Sequence, residues 1–263
     1  MLMDTKAADQ IPEFTDIFSA QQRFNGKIRT TPVLTDPQLN AEISCELWLK
    51  CENLQHTGAF KFRGASNAVA ILDEQGRRGD VATHSSGNHG AALALAASTN
   101  NRRAWIVMPE NSVRPKVEAV RRNGGEIVFC APNQQARETG LAGLVAKGCI
   151  PVPPYDHGHI ISGQGTVVIE MSEQIPGLDI IITPVGGGGL ISGCAIAARA
   201  LIPGVRVIGA EPEGAADTAL SLNQGKRVDQ YAVDTIADGL RAIVGVLNFE
   251  IIHDNVDEII TIS

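Results

Sequence analysis

Aromatic residues are scarce, at 4% of 263 positions, and with only 2 Trp and 2 Tyr the interior cannot be built on large rings. The 27 glycines and abundant alanine point instead to close packing of helices on sheets. The 5 cysteines (Cys45, Cys51, Cys130, Cys149 and Cys194) contain no C-x-x-C pair, and they read as reduced thiols of a cytosolic protein. The start, MLMDTKAADQ, has no apolar leader core, and no run reaches the roughly 20 apolar residues of a membrane span, so no membrane partner is expected and the cytoplasm is the expected compartment. Positive charge is in deficit, 22 Lys+Arg against 29 Asp+Glu, and the net charge of -7 argues against nucleic acid or an anionic bilayer as partner. No segment is repeated or of low complexity. What remains, 44% apolar and 19% charged, is the composition of a soluble globular protein with ample core for one large or two small domains.

Strand-like apolar runs alternate with helix-length segments from about residue 80 onward. The strands expected are Asp80–His84, Arg103–Met108, Glu126–Cys130, Ile180–Val185, Val205–Ala210 and Ile259–Ile262, with an earlier one at Glu46–Cys51. Helices are expected at Phe14–Phe24, Asn88–Ser98, Arg114–Asn123, Gln134–Lys147, Thr166–Gln174 and Leu190–Leu201. Strand–helix–strand alternation with short connections predicts parallel, doubly wound sheets, which bind ligands at the carboxyl ends of their strands. PVPPYDHGH, residues 151–159, carries too many prolines for the interior of a regular element and reads as a crossing between two lobes.

Three stretches carry chemistry. In GAFKFRGA, residues 58–65, Lys61 lies between Phe60 and Phe62. Taken alone this is a surface lysine between two core aromatics, but an apolar setting would lower its pKa and supply the free amine of Schiff-base chemistry. SSGNHG, Ser85–Gly90, joins a strand to an alanine-rich helix, and suits either an ordinary helix cap or an anion site. In PVGGGGL, Gly186, Gly187, Gly188 and Gly189 follow an apolar strand and open a helix. They are either a flexible loop or a cradle where phosphate approaches the backbone on the helix dipole; the Rossmann and Walker spacings do not match. Lysine, polar turn and glycine cradle together are the parts needed to hold pyridoxal phosphate.

In that order, KCENLQHTGAFKFRGA, HSSGNHGAALALAA, GQGT, PVGGGGL and TIADGL resemble the fold-type II pyridoxal-phosphate enzymes of the serine/threonine dehydratase and serine racemase family, from about residue 20 to the C-terminus. The resemblance implies a two-lobed, tryptophan synthase β-like α/β fold, with residues 1–79 and 150–263 as the large lobe and 80–149 as a small mobile lobe. It implies that Lys61 carries the cofactor and then acts as base on Cα, that Phe60 lies beside the pyridine ring, and that Asn88 meets the ring 3-hydroxyl. Gly186 to Gly189 match the phosphate loop and Gly239 the backbone lining the pocket. Ser85, Asn88 and His89, with Thr57 in the preceding turn, match the substrate-carboxylate site. Arg137 falls where racemase-like members meet the substrate carboxylate, or is a helix-surface arginine.

EPEGAAD places Glu211 and Asp217 around a short turn. Two solvated acids are one reading; a hard-cation site is the other, since racemase-like members bind Mg or Ca with a Glu, a backbone carbonyl (here Ala215) and an Asp at this spacing. Ser86 stands where L-specific dehydratases often carry alanine, and its hydroxyl either caps the helix or returns a proton to Cα. Ala242 replaces a serine of some racemases. Family chains continue for several tens of residues past the point matched by Ser263, and the cofactor-facing Glu and SGGN-type turn of that segment have no match here. The expected activity is dehydrative deamination of L-threonine or L-serine by a homodimer. Alternatives are serine or aspartate racemisation, dehydration of 3-hydroxyaspartate, or a silent homologue.

Overall fold

In the computed structural model, which describes residues 10–85 and 87–263, apolar runs become strands and the alanine-rich stretches between them become helices. The order is α1 (Phe14–Phe24), β1 (Val33–Leu34), α2 (Pro37–Ile43), β2 (Leu49–Lys50), α3 (Lys61–Glu74), β3 (Val81–His84), α4 (Asn88–Ser98), β4 (Ala104–Pro109), α5 (Arg114–Arg122) and β5 (Gly125–Cys130). It continues with α6 (Gln134–Ala146), β6 (Ile150–Pro151), α7 (Gly158–Gln174), β7 (Ile180–Pro184), α8 (Gly189–Leu201), β8 (Arg206–Pro212), α9 (Asp217–Gln224), α10 (Val246–Asn255) and β9 (Glu258–Ile262). One parallel sheet runs β5-β4-β3-β6 and another β7-β8-β9, while β1 and β2 pair antiparallel. The α/β class expected from strand–helix alternation is what forms. Among the described residues, no helix is long and apolar enough to cross a membrane, and all five cysteines are free.

Three expectations needed revision. The strand at Glu46–Cys51 shrinks to Leu49–Lys50. Pro151 lies in a strand after all, because β6 is the sheet edge, where a missing N–H costs no ladder bond. Helix α7 begins at Gly158, not Thr166, and α3 was not anticipated.

The glycines that disguised those helices are packing sites. A Cβ on Gly163 would stand 2.6 Å from the Gly64 Cα, and one on Gly165 would stand 2.7 Å from the Gly193 carbonyl oxygen. Helices α3 and α8 therefore press their backbones onto opposite faces of α7, an approach only glycine permits. Around this contact two apolar clusters form. One joins Phe62, Ala65 and Val69 of α3 to α4, Ile106 of β4 and Ile160 of α7. The other joins Val167, Val168 and Met171 of α7 to Ile181, Ile191 and Val207. Because α7 enters both clusters, it ties the two sheets together.

A buried ionic network adds to this join. The Arg63 guanidinium, with no exposed surface, is bidentate to Glu52 (2.7 and 2.8 Å) and to Glu170 of α7 (2.6 and 3.0 Å). Lys50 Nζ completes it, donating to Glu170 (2.6 Å), Gln174 (2.8 Å) and the Thr31 carbonyl (2.8 Å). Burial pushes the Glu170 carboxyl upward, but its bonds to Arg63 and Lys50 outweigh that and hold it below the ordinary 4.5. Removing one partner strands buried charge, so Arg63→Met should lower unfolding stability by about 3–5 kcal/mol in a denaturant titration. Because the Glu170 pKa is depressed, the stability it contributes is complete above the ordinary value and lost as pH falls below it. The drop in stability on acidification should therefore be smaller in Glu170→Gln than in the unaltered protein.

Candidate active site

Lys61 is the first residue of α3, preceded by the tight turn His56–Gly58. Its Nζ donates to the Pro154 carbonyl at 2.8 Å and lies 5.2 Å from the Phe60 ring centroid and 5.8 Å from that of Tyr155. No carboxylate balances it: Lys61 forms no ion pair among the described residues, in contrast to Lys50. Enclosure without a counter-charge disfavours the ammonium, and burial lowers the pKa to about 8. The lysine is thus a half-buried amine with no counter-charge among the described residues, and not a freely solvated surface cation.

The turn before Lys61 is strained. Thr57, a β-branched residue, holds φ 63° and ψ 6°, a conformation that persists only under constraint from its surroundings. The Gln55 side chain supplies part of that constraint, accepting from the His56 and Arg29 N–H groups and donating to the Arg29 carbonyl. Among the described residues the buried Thr57 hydroxyl has no hydrogen-bond partner. This turn packs against α4, whose start carries Ser85–Gly90. There the Ser85 hydroxyl accepts from Gly87 N–H (3.3 Å) and Gly90 N–H (3.2 Å), the cap seen as one option in the sequence. Asn88 opens α4 and is exposed. His89 is buried with Nε2 against the Val152 carbonyl at 3.0 Å, and burial, then the charge of Lys61, lowers its pKa to about 3. A neutral ring donating through Nε2 leaves Nδ1 a bare acceptor, so its backbone N–H, not its imidazole, is what His89 can offer an anion. Ser86 lies outside the described residues.

The four glycines are not a slack loop. Gly188 adopts φ +90°, and a Cβ there would meet the Asn248 Cβ at 2.7 Å. At Gly187 a Cβ would enter the Tyr155 ring at 2.5 Å, and at Gly186 it would stand 3.3 Å from the Gly239 carbonyl oxygen. The Gly187 carbonyl accepts from Gly245 N–H (3.2 Å) and Asn248 Nδ2 (2.8 Å). The result is a braced cradle at the α8 N-terminus, where the first helical N–H groups lack intrahelical acceptors. Gly239 itself carries no steric demand for glycine; what it contributes is backbone. Tyr155, lying between Lys61 and the cradle, was missed in the sequence, where PVPPYDHGH read only as a crossing. Asn248 carried no sequence signal at all.

Glu211 and Asp217 are buried, which removes the reading of two solvated acids. The Glu211 carboxylate accepts from the N–H groups of Thr218 (3.1 Å) and Ala219 (2.9 Å), and Asp217 Oδ2 from Val244 N–H (2.8 Å). Burial raises both carboxyls, and the Asp217 charge raises Glu211 further. Ala215 lies in the buried turn between them. Among the described residues no cluster of three or more His, Cys, Asp or Glu side chains gathers for a metal. Arg137, half-buried on α6, directs Nε at the Asn133 carbonyl (3.5 Å) of its own helix start. Its charge also acts on His84, which burial, chiefly, and then Arg137 hold below the ordinary histidine value.

The profile of the family described as "Pyridoxal-phosphate dependent enzyme" matches residues 25–263. The chain belongs to that family. It is 43% identical over 262 residues to the serine racemase of Arabidopsis thaliana, covering 99% of this chain and 79% of the relative. It is 42% identical over 254 residues to the β-hydroxyaspartate dehydratase of Paracoccus denitrificans, covering 96% of this chain and 81% of that one. The solved structure of maize serine racemase superposes with a TM-score of 0.94 at 42% identity, covering 96% of this chain and 77% of the other.

The residues present fit the cofactor of a pyridoxal-phosphate-dependent enzyme. The cradle rejects a Cβ at Gly187 and Gly188, the Thr57 hydroxyl is an unmet buried polar group nearby in the fold, and Lys61 offers an amine of lowered basicity. Only the neutral amine can attack an aldehyde. The rate at which the apoenzyme takes up pyridoxal phosphate should therefore climb as pH rises toward about 8 and level off above it. A rate still climbing near the ordinary lysine value of 10.5 would contradict the enclosed, unpaired amine.

Proposed function

We propose that the protein dehydrates and deaminates a β-hydroxy α-amino acid, L-serine or L-threonine, to a 2-oxo acid and ammonia. The observation that carries this is Lys61, an amine of lowered pKa set between two aromatic rings and given no carboxylate partner. Bound pyridoxal phosphate would supply the electron sink that makes a Cα proton removable. Lys61 takes that proton and returns it to the departing β-hydroxyl, which leaves as water, and addition of one water to the unsaturated amino acid that results releases ammonia and the 2-oxo acid. Phe60 and Tyr155 shield the amine from solvent. Gly186 to Gly189 would hold the phosphate, the Gly239 backbone would line the cofactor pocket, and Asn88 would meet the ring 3-hydroxyl. The Thr57 hydroxyl, Ser85, Asn88 and the His89 N–H receive the substrate carboxylate, with Arg137 closing on it as residues 80–149 move as a small lobe against 1–79 and 150–263. The ion pair from Lys116 on α5 to Asp238 bridges these two parts.

A second reading, racemisation of serine or dehydration of 3-hydroxyaspartate, is favoured by the names of the relatives above 40% identity. One set of incubations separates them: L-serine, L-threonine and L-threo-3-hydroxyaspartate, each assayed for 2-oxo acid, ammonia and enantiomer. The first reading predicts 2-oxo acid and ammonia in equal amounts from L-serine or L-threonine; D-serine as the main product, or 2-oxo acid formed only from L-threo-3-hydroxyaspartate, would replace it with the second. In Lys61→Ala, both the visible absorption of lysine-bound cofactor and turnover should vanish while the fold persists; borohydride labelling of another lysine would remove Lys61 from its role. If D-serine forms, its persistence in Ser86→Ala would exclude Ser86 as the proton donor.

We also propose that Glu211, Asp217 and the Ala215 carbonyl hold Mg or Ca. Two buried carboxylates, both raised by burial and Glu211 further by the Asp217 charge, with no ion pair to either among the described residues, are a set that a hard cation would stabilise. A cation at 100 times its Kd should stabilise the fold by about 2.7 kcal/mol, seen as a rise in melting temperature that a chelator reverses. Glu211→Gln should abolish that rise, and a melting temperature indifferent to chelator and cation would leave two structural acids.

A further inference from the structure

We propose that Asn248 is a positioning residue for the phosphate cradle, an inference that rests on reading Gly186 to Gly189 as the phosphate seat. Asn248 is fully buried on the first turn of α10. Its Nδ2 donates to the Gly187 carbonyl at 2.8 Å, and its Cβ packs where a side chain on Gly188 would have to go. A trans peptide is planar, with C=O and N–H on opposite sides. Holding the Gly187 carbonyl against α10 therefore points the Gly188 N–H away from α10, which fixes one of the donors an anion would meet at the helix start.

Asn248 is itself placed from the far side. Asp156, next to Tyr155, accepts from Val246 N–H (2.8 Å) and Asn248 N–H (3.3 Å) and so caps α10. Gly245 meets Asp156 so closely that a Cβ there would overlap its carboxyl group. The segment 155–156 thus touches the cradle twice, by the Tyr155 ring on Gly187 and through Asp156, α10 and the Asn248 amide.

A role confined to fold stability is distinguishable from this one. Among the described residues the buried Asn248 Oδ1 has no partner, and the Gly187 carbonyl keeps its bond from Gly245 N–H when the amide is removed. Asn248→Leu accordingly deletes one hydrogen bond and one unmet acceptor together, and leaves no new orphan. The melting temperature of the apoenzyme should stay level or rise slightly, while the cofactor phosphate should be held less well.

The experiment titrates apoenzyme with pyridoxal phosphate, following protein fluorescence, and records the phosphorus resonance of the bound cofactor. Asn248→Leu should raise the dissociation constant about fivefold, the equivalent of one neutral hydrogen bond, and shift the phosphorus signal. Asn248→Ala repeats the measurement should leucine not be accommodated. An unchanged dissociation constant and unchanged resonance in the folded variants would overturn the proposal. So would a loss of affinity that only follows a loss of apoenzyme stability. Gly187→Ala, which sets a Cβ into the Tyr155 ring, tests the seat itself. Weakened binding there with normal binding in Asn248→Leu would remove the brace and keep the seat, whereas normal binding in both would remove the seat and the brace with it.

Discussion

Backbone contact between α3, α7 and α8 is the constraint on which the rest depends. With glycine at 64, 163, 165 and 193, the helices close to distances that any side chain would forbid. The segments just before these helices are thereby brought together: Lys61 at the start of α3, Pro154 and Tyr155 ahead of α7, and the four glycines ahead of α8. Because the segments ahead of helix starts converge, the region offers unpaired N–H groups and a positive dipole end, which suits a phosphorylated, carboxylate-bearing ligand.

The charged groups of the interior divide into those with partners and those without. Arg63, Lys50, Glu52 and Glu170 satisfy one another and act as a structural clamp between α3 and α7. Two residues before Arg63, Lys61 has, among the described residues, a carbonyl and two rings but no ion pair, and its basicity falls. The same helix therefore carries an anchored cation and an unanchored amine, and the anchor holds the amine in place. Glu211 and Asp217 mirror this with opposite sign, as buried acids that form no ion pair among the described residues.

Rigidity around the glycine loop is the second consequence. Its four residues lie against Tyr155, the 239–240 backbone and Asn248, so a sequence that looks floppy is among the more tightly surrounded in the chain. A loop already held in shape does not have to be ordered when a ligand binds, which conserves affinity.

The parallel α/β class, most strand positions, the helix at Asn88–Ser98, and the grouping of an apolar lysine with a polar turn and a glycine cradle were all legible in the sequence, because they rest on local periodicity and on backbone chemistry that glycine advertises. The full length of α7 and the existence of α3 were not, because glycine reads locally as a breaker and only the facing helix shows that it is a contact. Whether Lys61 is enclosed, whether Glu211 and Asp217 are buried, and that His89 turns its ring to Val152 were likewise invisible, since burial is set by segments distant along the chain. Tyr155 and Asn248 reach the cradle across 32 and 61 positions of sequence from Gly187. The sequence by itself determined the elements and the chemical types available; which of those groups would lose their water, and so acquire unusual basicity or an unmet hydrogen bond, was decided only when the three helices closed on one another.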